Sequence, residues 1–174
     1  MHFLNTLFVR KAGLRLLIII FLISGYYAQA QIYYHNFGTT AISTHPYTIA
    51  PSTFDSHLSA SSWTNSIGVW TSNTGATGEA IRLTTAAPAT IALTFNVAAN
   101  YQVDITSFDF WTLRSALGPQ NWSMTINGIN VGTGTTGTTG SAIGNTPVAN
   151  AVSGLTGTVT VVISISGQTG NGTY

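Results

Sequence analysis

The sequence predicts an all-β fold, an antiparallel β-sandwich or barrel. Three observations carry that reading. Apolar residues recur with a period of two through several short segments, as on strands with one buried face. Gly, Pro, Asn and Ser punctuate those segments at intervals of roughly 8–12 residues, the spacing of sandwich turns. No segment holds a helical period.

The chain opens on a segment that does not belong to the fold. Arg10, Lys11 and Arg15 precede an apolar run over residues 16–23, and Ala28-Gln29-Ala30 supplies an A-x-A site. Residues 1–30 therefore read as a secretory signal peptide cut before Gln31. The apolar run is far shorter than the roughly 20 residues of a spanning helix, so no membrane insertion is expected after cleavage. Cleavage removes 30 of the 174 residues and leaves 144, residues 31–174, enough for a single domain with its own core. With no cysteine there is neither a disulfide framework, a thiolate metal site nor a lipid-anchored thiol.

Charge narrows the function classes. Three of the five cations leave with the leader, so Arg82 and Arg114 stand against Asp55, Glu79, Asp104 and Asp109, a net of −2. Two arginines cannot track a phosphate backbone, which excludes nucleic acid as a partner. The absence of lysine after the leader also excludes Lys-Asn isopeptide cross-links. A surface of Thr, Ser, Asn, Gly and Gln suits an extracellular β-protein, secreted or on the outer cell surface.

In chain order, residues 32–37 predict a first strand ended by Gly38. Residues 39–62, with Pro46 and Pro51, predict an irregular connection with room for one short strand at 47–49. A strand over 67–71 containing Trp70 follows, then a turn over 72–78. Residues 79–85 place Ile81 and Leu83 on one face and Arg82 on the other. The clearest alternation is Ile91, Leu93, Phe95, Val97. Tyr101, Val103 and Ile105 alternate next, then the phase slips to Phe108 and Phe110, as a bulge at residues 106–107 would cause. A Gly118-Pro119 reversal leads to Trp122, Met124 and Ile126, so 101–126 reads as a hairpin, and Asn127-Gly128 turns the chain again. The Gly/Thr run 132–140 reads as a flexible loop. Residues 148–155 fit either an edge strand or a loop, and 158–166 is the last clear strand. The ending at residues 172–174 reads as the beginning of a further strand, leaving a sandwich that lacks its last strand and a neighbour with an open edge. The shared period places Leu93, Phe95, Val103, Phe108, Phe110, Met124, Ile126, Val161 and Ile163 in the core.

Several of these segments together resemble a known family. The leader, residues 32–37, Ile105-Thr-Ser-Phe-Asp-Phe110 followed by Arg114-Ser115, then Gly118-Pro119-Gln-Asn-Trp122, and the ending Gly170-Asn-Gly-Thr-Tyr174 are similar to secreted jelly-roll domains of Bacteroidota surface proteins. The resemblance implies a carbohydrate-binding-like sandwich at the cell surface, attached to an enzyme or adhesin, and carries over no active residue. Jelly-roll binding domains also often hold structural calcium, for which Glu79 or Asp109 could supply a carboxylate, although no D-x-D-x-D-G loop is present.

Catalytic chemistry finds little footing. His35, His45, His57, Asp55 and Asp104 could in principle join a serine in a triad, yet no G-x-S-x-G elbow occurs. The four acids form no evident pair for glycoside hydrolysis. Asp55 and His57, two apart, fall short of the three convergent ligands a transition metal needs. Tryptophans offer more, because sugar rings stack on exposed indoles. Trp122 shares the parity of Met124 and reads as core. Trp111 lies opposite Phe108 and Phe110, beside Asp109 and near Arg114, so it is the expected exposed stacking residue, with Trp70 second. The function expected is non-catalytic binding of polysaccharide or cell-surface glycans at Trp111, Asp109, Arg114 and Trp70. A structural or adhesive sandwich is the alternative, and a glycoside hydrolase ranks third.

Overall fold

A computed structural model describes residues 30–174. The expected leader, apart from Ala30, lies outside the described residues, which contain no helix long and apolar enough to cross a membrane. In chain order the strands are β1 (Tyr33–Tyr34), β2 (Thr53–Phe54), β3 (Leu58–Asn65), β4 (Thr71–Thr74), β5 (Glu79–Arg82), β6 (Thr84–Thr85), β7 (Ala89–Val97) and β8 (Val103–Phe108), followed by β9 (Trp111–Thr112), β10 (Asn121–Ile126), β11 (Ile129–Thr135), β12 (Ser141–Ala142), β13 (Thr146–Leu155), β14 (Thr158–Ser166) and β15 (Gly172–Thr173). All their pairings are antiparallel. The fold is all-β, as the patterning predicts.

One sheet of five strands, ordered β11-β10-β14-β7-β3, forms the base of the core. Its centre follows from period-two burial: Ala89, Ile91, Leu93, Phe95 and Val97 of β7 are all buried, and β14 answers with Val159, Ile163 and Ile165. Each such aliphatic or aromatic side chain contributes about 1.5–3 kcal/mol through burial. The expected core residues Leu93, Phe95, Met124, Ile126 and Ile163 are buried, while Val103, Phe108, Phe110 and Val161 are partly buried against that cluster. Five two-stranded pairs accompany the sheet among the described residues. Two of them make one ribbon, because β8 pairs with β13, β9 pairs with β12, and the Ile143 amide donates to the Phe110 carbonyl at 3.0 Å between them.

The structure corrects the reading of residues 101–126. The two halves do not pair as a hairpin: β8 joins β13, whereas β10 joins β11 and β14. What links them is packing, with Phe108 and Phe110 set edge-on to Trp122 at ring separations of 6.2 and 5.1 Å. The phase slip is real, but the extra residues lie on β13, where the register jumps between Pro147 and Val152 opposite Ser107 and Ile105. The run 132–140 is not all loop either. Its first residues extend β11, because Gly132 and Gly134 leave room for the rings of Phe108 and Trp122, which a Cβ would meet at 2.7 and 2.6 Å. The Asn127-Gly128 turn is confirmed, with φ values of +46° and +83° at its two residues.

The N-terminal third departs further from expectation. β3 runs through part of the stretch expected to be irregular, across a register shift between Ser59 and Ser62 and a positive φ of 56° at Ala60. The strand expected at 67–71 is instead a loop feeding β4. Buried Asn65 shapes that loop: its Oδ1 accepts the Ile67 and Gly68 amides at 2.9 and 2.7 Å, and its Nδ2 donates to the Val69 carbonyl at 2.7 Å. The same residue's amide donates to His45 Nε2 at 3.0 Å. Asn65→Ala leaves the Ile67 amide and the Val69 carbonyl without their side-chain partner and the Gly68 amide with only its 3.4 Å bond to the residue-65 carbonyl, and is expected to cost about 2 kcal/mol, read as a lower urea midpoint at unchanged slope.

Candidate functional site

Three loops meet at the end of the fold where β3 begins and β7 ends. The first is the turn between β2 and β3. Asp55 Oδ1 accepts the His57 amide at 2.9 Å and the His57 Nδ1–H at 3.0 Å, and the Asp55 carbonyl accepts the Leu58 amide at 2.9 Å. The second is the loop 98–102 between β7 and β8, tied to the first by an Ala98 amide to His57 carbonyl bond of 2.8 Å. It closes through the Tyr101 amide and the Ala98 carbonyl at 3.1 Å, with Asn100 at a φ of +68° that Asn tolerates better than most residues. The third is the β13–β14 connection, where the Gly157 carbonyl accepts the Val97 amide at 2.8 Å.

These contacts hold Tyr101 against His57 with ring centroids 3.9 Å apart and planes 28° off parallel. Tyr101 is 50% exposed, so its outer surface faces solvent while His57 supports the inner one. Beside it opens a depression of about 510 Å³ lined by residues 97–102 with Thr156 and Gly157. The aromatic face, the Asn100 and Gln102 amides and the Thr156 hydroxyl give an apolar platform edged by donors and acceptors. Asp55 Oδ2 takes no hydrogen bond from the described residues, which leaves it open as an acceptor.

The backbone amide of His57, then its side chain, hold the Asp55 carboxyl below its ordinary value. A depressed carboxylate pKa means that stability is present above the unfolded value and is lost as pH falls through the folded one. Protonating Asp55 also releases the ring that supports Tyr101. Wild-type protein is therefore expected to lose the Tyr101–His57 contact at a pH below the ordinary carboxylate range, while Asp55→Asn shows a flatter acid limb. Tyr101 ring shifts followed by NMR across an acid titration check this.

The residues singled out from the sequence are placed elsewhere. Trp70 is 2% exposed, with its indole N–H donating to the Trp63 carbonyl at 3.3 Å, so it is a core residue and not a second stacking surface. Trp111 is half-buried, because pairing with Ala142 lays its indole against Gly140. Arg114 is committed to the fold: Nε donates to the Thr136 carbonyl at 2.8 Å, and Nη1 to the carbonyls of Ser115 and Ala116 at 3.1 and 3.0 Å. Asp109 is exposed, and no ion pair joins it to Arg114; the only ion-pair contact among the described residues is His57 with Asp55. Glu79 starts β5, and no group of three His, Asp or Glu side chains able to hold a metal occurs among the described residues.

The other histidines serve local structure. His35 Nδ1 accepts the Phe37 amide at 2.8 Å, so its proton sits on Nε2, which faces the Ile49 carbonyl at 3.1 Å. Burial pushes its pKa below the ordinary histidine value. The sequence reading missed Tyr101 because it counted that residue in the inward phase of Val103. The visible signal was Asp55-Ser-His57, a turn carrying its own hydrogen bond, yet its partner loop lies more than 40 positions away.

No protein-family model, curated protein or solved structure matches this chain. Fold and site together define an antiparallel all-β domain with an aromatic platform on its end loops.

Proposed function

We propose that the domain is a non-catalytic module, secreted or displayed at the outer cell surface, that binds neutral glycans through the Tyr101 platform. The supporting observation is the half-exposed Tyr101 ring, fixed by His57 beside an open depression edged with amides and a hydroxyl. A pyranose offers an apolar face to stack and equatorial hydroxyls to bond with such an edge. Neutral sugars fit better than uronates or sulfated sugars, since neither arginine lines the depression. Export is favoured by the order of charge, apolar run and A-x-A site in the leader.

The test is Tyr101→Ala assayed on neutral polysaccharides. Retention on them should fall at least about tenfold, or 1.4 kcal/mol, with the melting temperature nearly unchanged because an exposed ring leaves no cavity. Unchanged retention would overturn the proposal. The alternative, a structural or adhesive domain without a small-ligand site, is favoured by the way packing takes up the tryptophans, including Trp63, whose indole N–H donates to Tyr33 at 2.8 Å.

A further inference from the structure

Residues 32–38 form a strap over an aromatic cluster made by Phe54, Trp63 and Phe95. Tyr33 stacks on Phe95 at 6.1 Å and meets Phe54 edge-on at 5.7 Å, and its phenol accepts the Trp63 indole N–H at 2.8 Å. Phe37 covers the same indole edge-on at 5.4 Å. Few backbone bonds secure the strap. β1 pairs with β2 over two residues, the Ile32 carbonyl accepts the Asp55 amide at 2.9 Å, and the Gly38 carbonyl accepts the Glu79 amide at 2.9 Å. Segments tied so sparsely are the first to open.

The turn that ends the strap relies on two side-chain acceptors. Asn36 Oδ1 accepts the Gly38 amide at 3.0 Å, and His35 Nδ1 accepts the Phe37 amide at 2.8 Å. Phe37 and Gly38 both have positive φ, +57° and +69°. A bulky L-residue disfavours that region, so Phe37 keeps it only while the His35 bond and the packing on Trp63 hold it there. An Nδ1 that accepts an amide hydrogen has no proton of its own. Protonating the ring sets donor against donor at Phe37, while Nε2 keeps its 3.1 Å bond to the Ile49 carbonyl in either state. The ring stays anchored at residue 49 and rejects residue 37, so the break falls in the turn.

We propose that His35 is an acid-sensitive latch whose protonation releases residues 32–38 and uncovers the face formed by Phe54, Trp63 and Phe95. The groups around the ring do not offset its charge. Phe37 packs on it at 4.4 Å, Tyr47 at 5.4 Å and Tyr33 at 6.4 Å, and burial raises both phenols above their ordinary value, so they are neutral in acid. The acid bonded to this turn is Glu79, through its backbone amide; the only ion-pair contact among the described residues is His57 with Asp55. Burial lowers the His35 pKa, against the opposing pull of the Ile49 carbonyl. With a lowered histidine pKa, the latch contributes fully above the unfolded value of about 6.5 and is lost as pH falls from there toward the folded one.

The diagnostic variant is His35→Asn, because an Asn side chain accepts the amide two residues on, as Asn36 does for Gly38, and has no proton to gain. Amide hydrogen exchange of both proteins, corrected for intrinsic rates, is followed from about pH 7.5 to about pH 4. In the wild type, protection of the Phe37 and Asp55 amides should fall at least about tenfold in step with the His35 ring titration seen by NMR, while β7 and β14 keep theirs. In His35→Asn these two amides should stay protected throughout. Unchanged protection in the wild type, an equal fall in His35→Asn, or a fall shared with β7 overturns the proposal. Should the variant leave the strap unprotected already at neutral pH, the wild-type fall must still track His35; tracking His45 or His57 instead overturns it.

Discussion

Trp122→Ala should lower the melting temperature by roughly 10–20 °C. The indole is 6% exposed and takes Phe108 and Phe110 edge-on at interplanar angles of 87° and 77°. Across β11, Gly134 lies so close to the ring that a Cβ would come within 2.6 Å of it, so the backbone itself forms a wall of the pocket. Walls of that kind cannot collapse to fill the space, and truncating a buried Trp costs about 3–5 kcal/mol. Gly134→Ala attacks the same contact from the other side, with an overpacking cost of about 1–3 kcal/mol. Near-UV circular dichroism during heating checks both. A fall under 2 °C for Trp122→Ala would contradict the packing described.

Gly172→Ala should be nearly as damaging, for a backbone reason. Gly172 and Gly118 are both buried, and a Cβ on Gly172 would overlap the backbone nitrogen and Cα of Gly118. No side-chain rotation relieves that overlap, so segment 169–174 must withdraw from 115–118. Withdrawal breaks the Thr173 amide bond to Ser115 Oγ at 2.9 Å and the paired bonds between Leu83 and Tyr174. A loss of about 3 kcal/mol is expected. Tyr174 supplies a specific readout. Burial raises its phenol pKa above the ordinary value, an effect that the neighbouring hydroxyls of Thr112 and Thr136 oppose. For a raised phenol pKa, folding stability is full below the unfolded value and declines as pH rises through the folded one. The wild type should therefore weaken on the alkaline side above about pH 10, and Gly172→Ala should lose that dependence as Tyr174 returns toward the free value.

The central strands were legible because burial on one face writes itself into a period of two. β7 and β10 follow it residue by residue, β14 follows it at Val159, Ile163 and Ile165, and Asn127-Gly128 carries its turn chemistry openly. Partnering was not legible. Residues 101–126 look like a hairpin by sequence, yet their strands belong to different sheets, since alternation states which side faces inward and not which strand lies beside it. Glycine misled for a related reason: in β11 it marks space taken by Phe108 and Trp122, not flexibility. The site was hidden by the same limit. Trp111 has the outward parity assigned to it, but its ring settles on Gly140, whereas Tyr101 and His57 meet only because loops distant in sequence share one end of the fold.

NMR chemical-shift mapping of the protein titrated with neutral oligosaccharides tests the glycan reading most directly. Perturbations should concentrate on Asn100, Tyr101, Gln102, His57 and Thr156 and vanish in Tyr101→Ala. Perturbations centred on Trp111 and Asp109, or none with any neutral glycan, would contradict it.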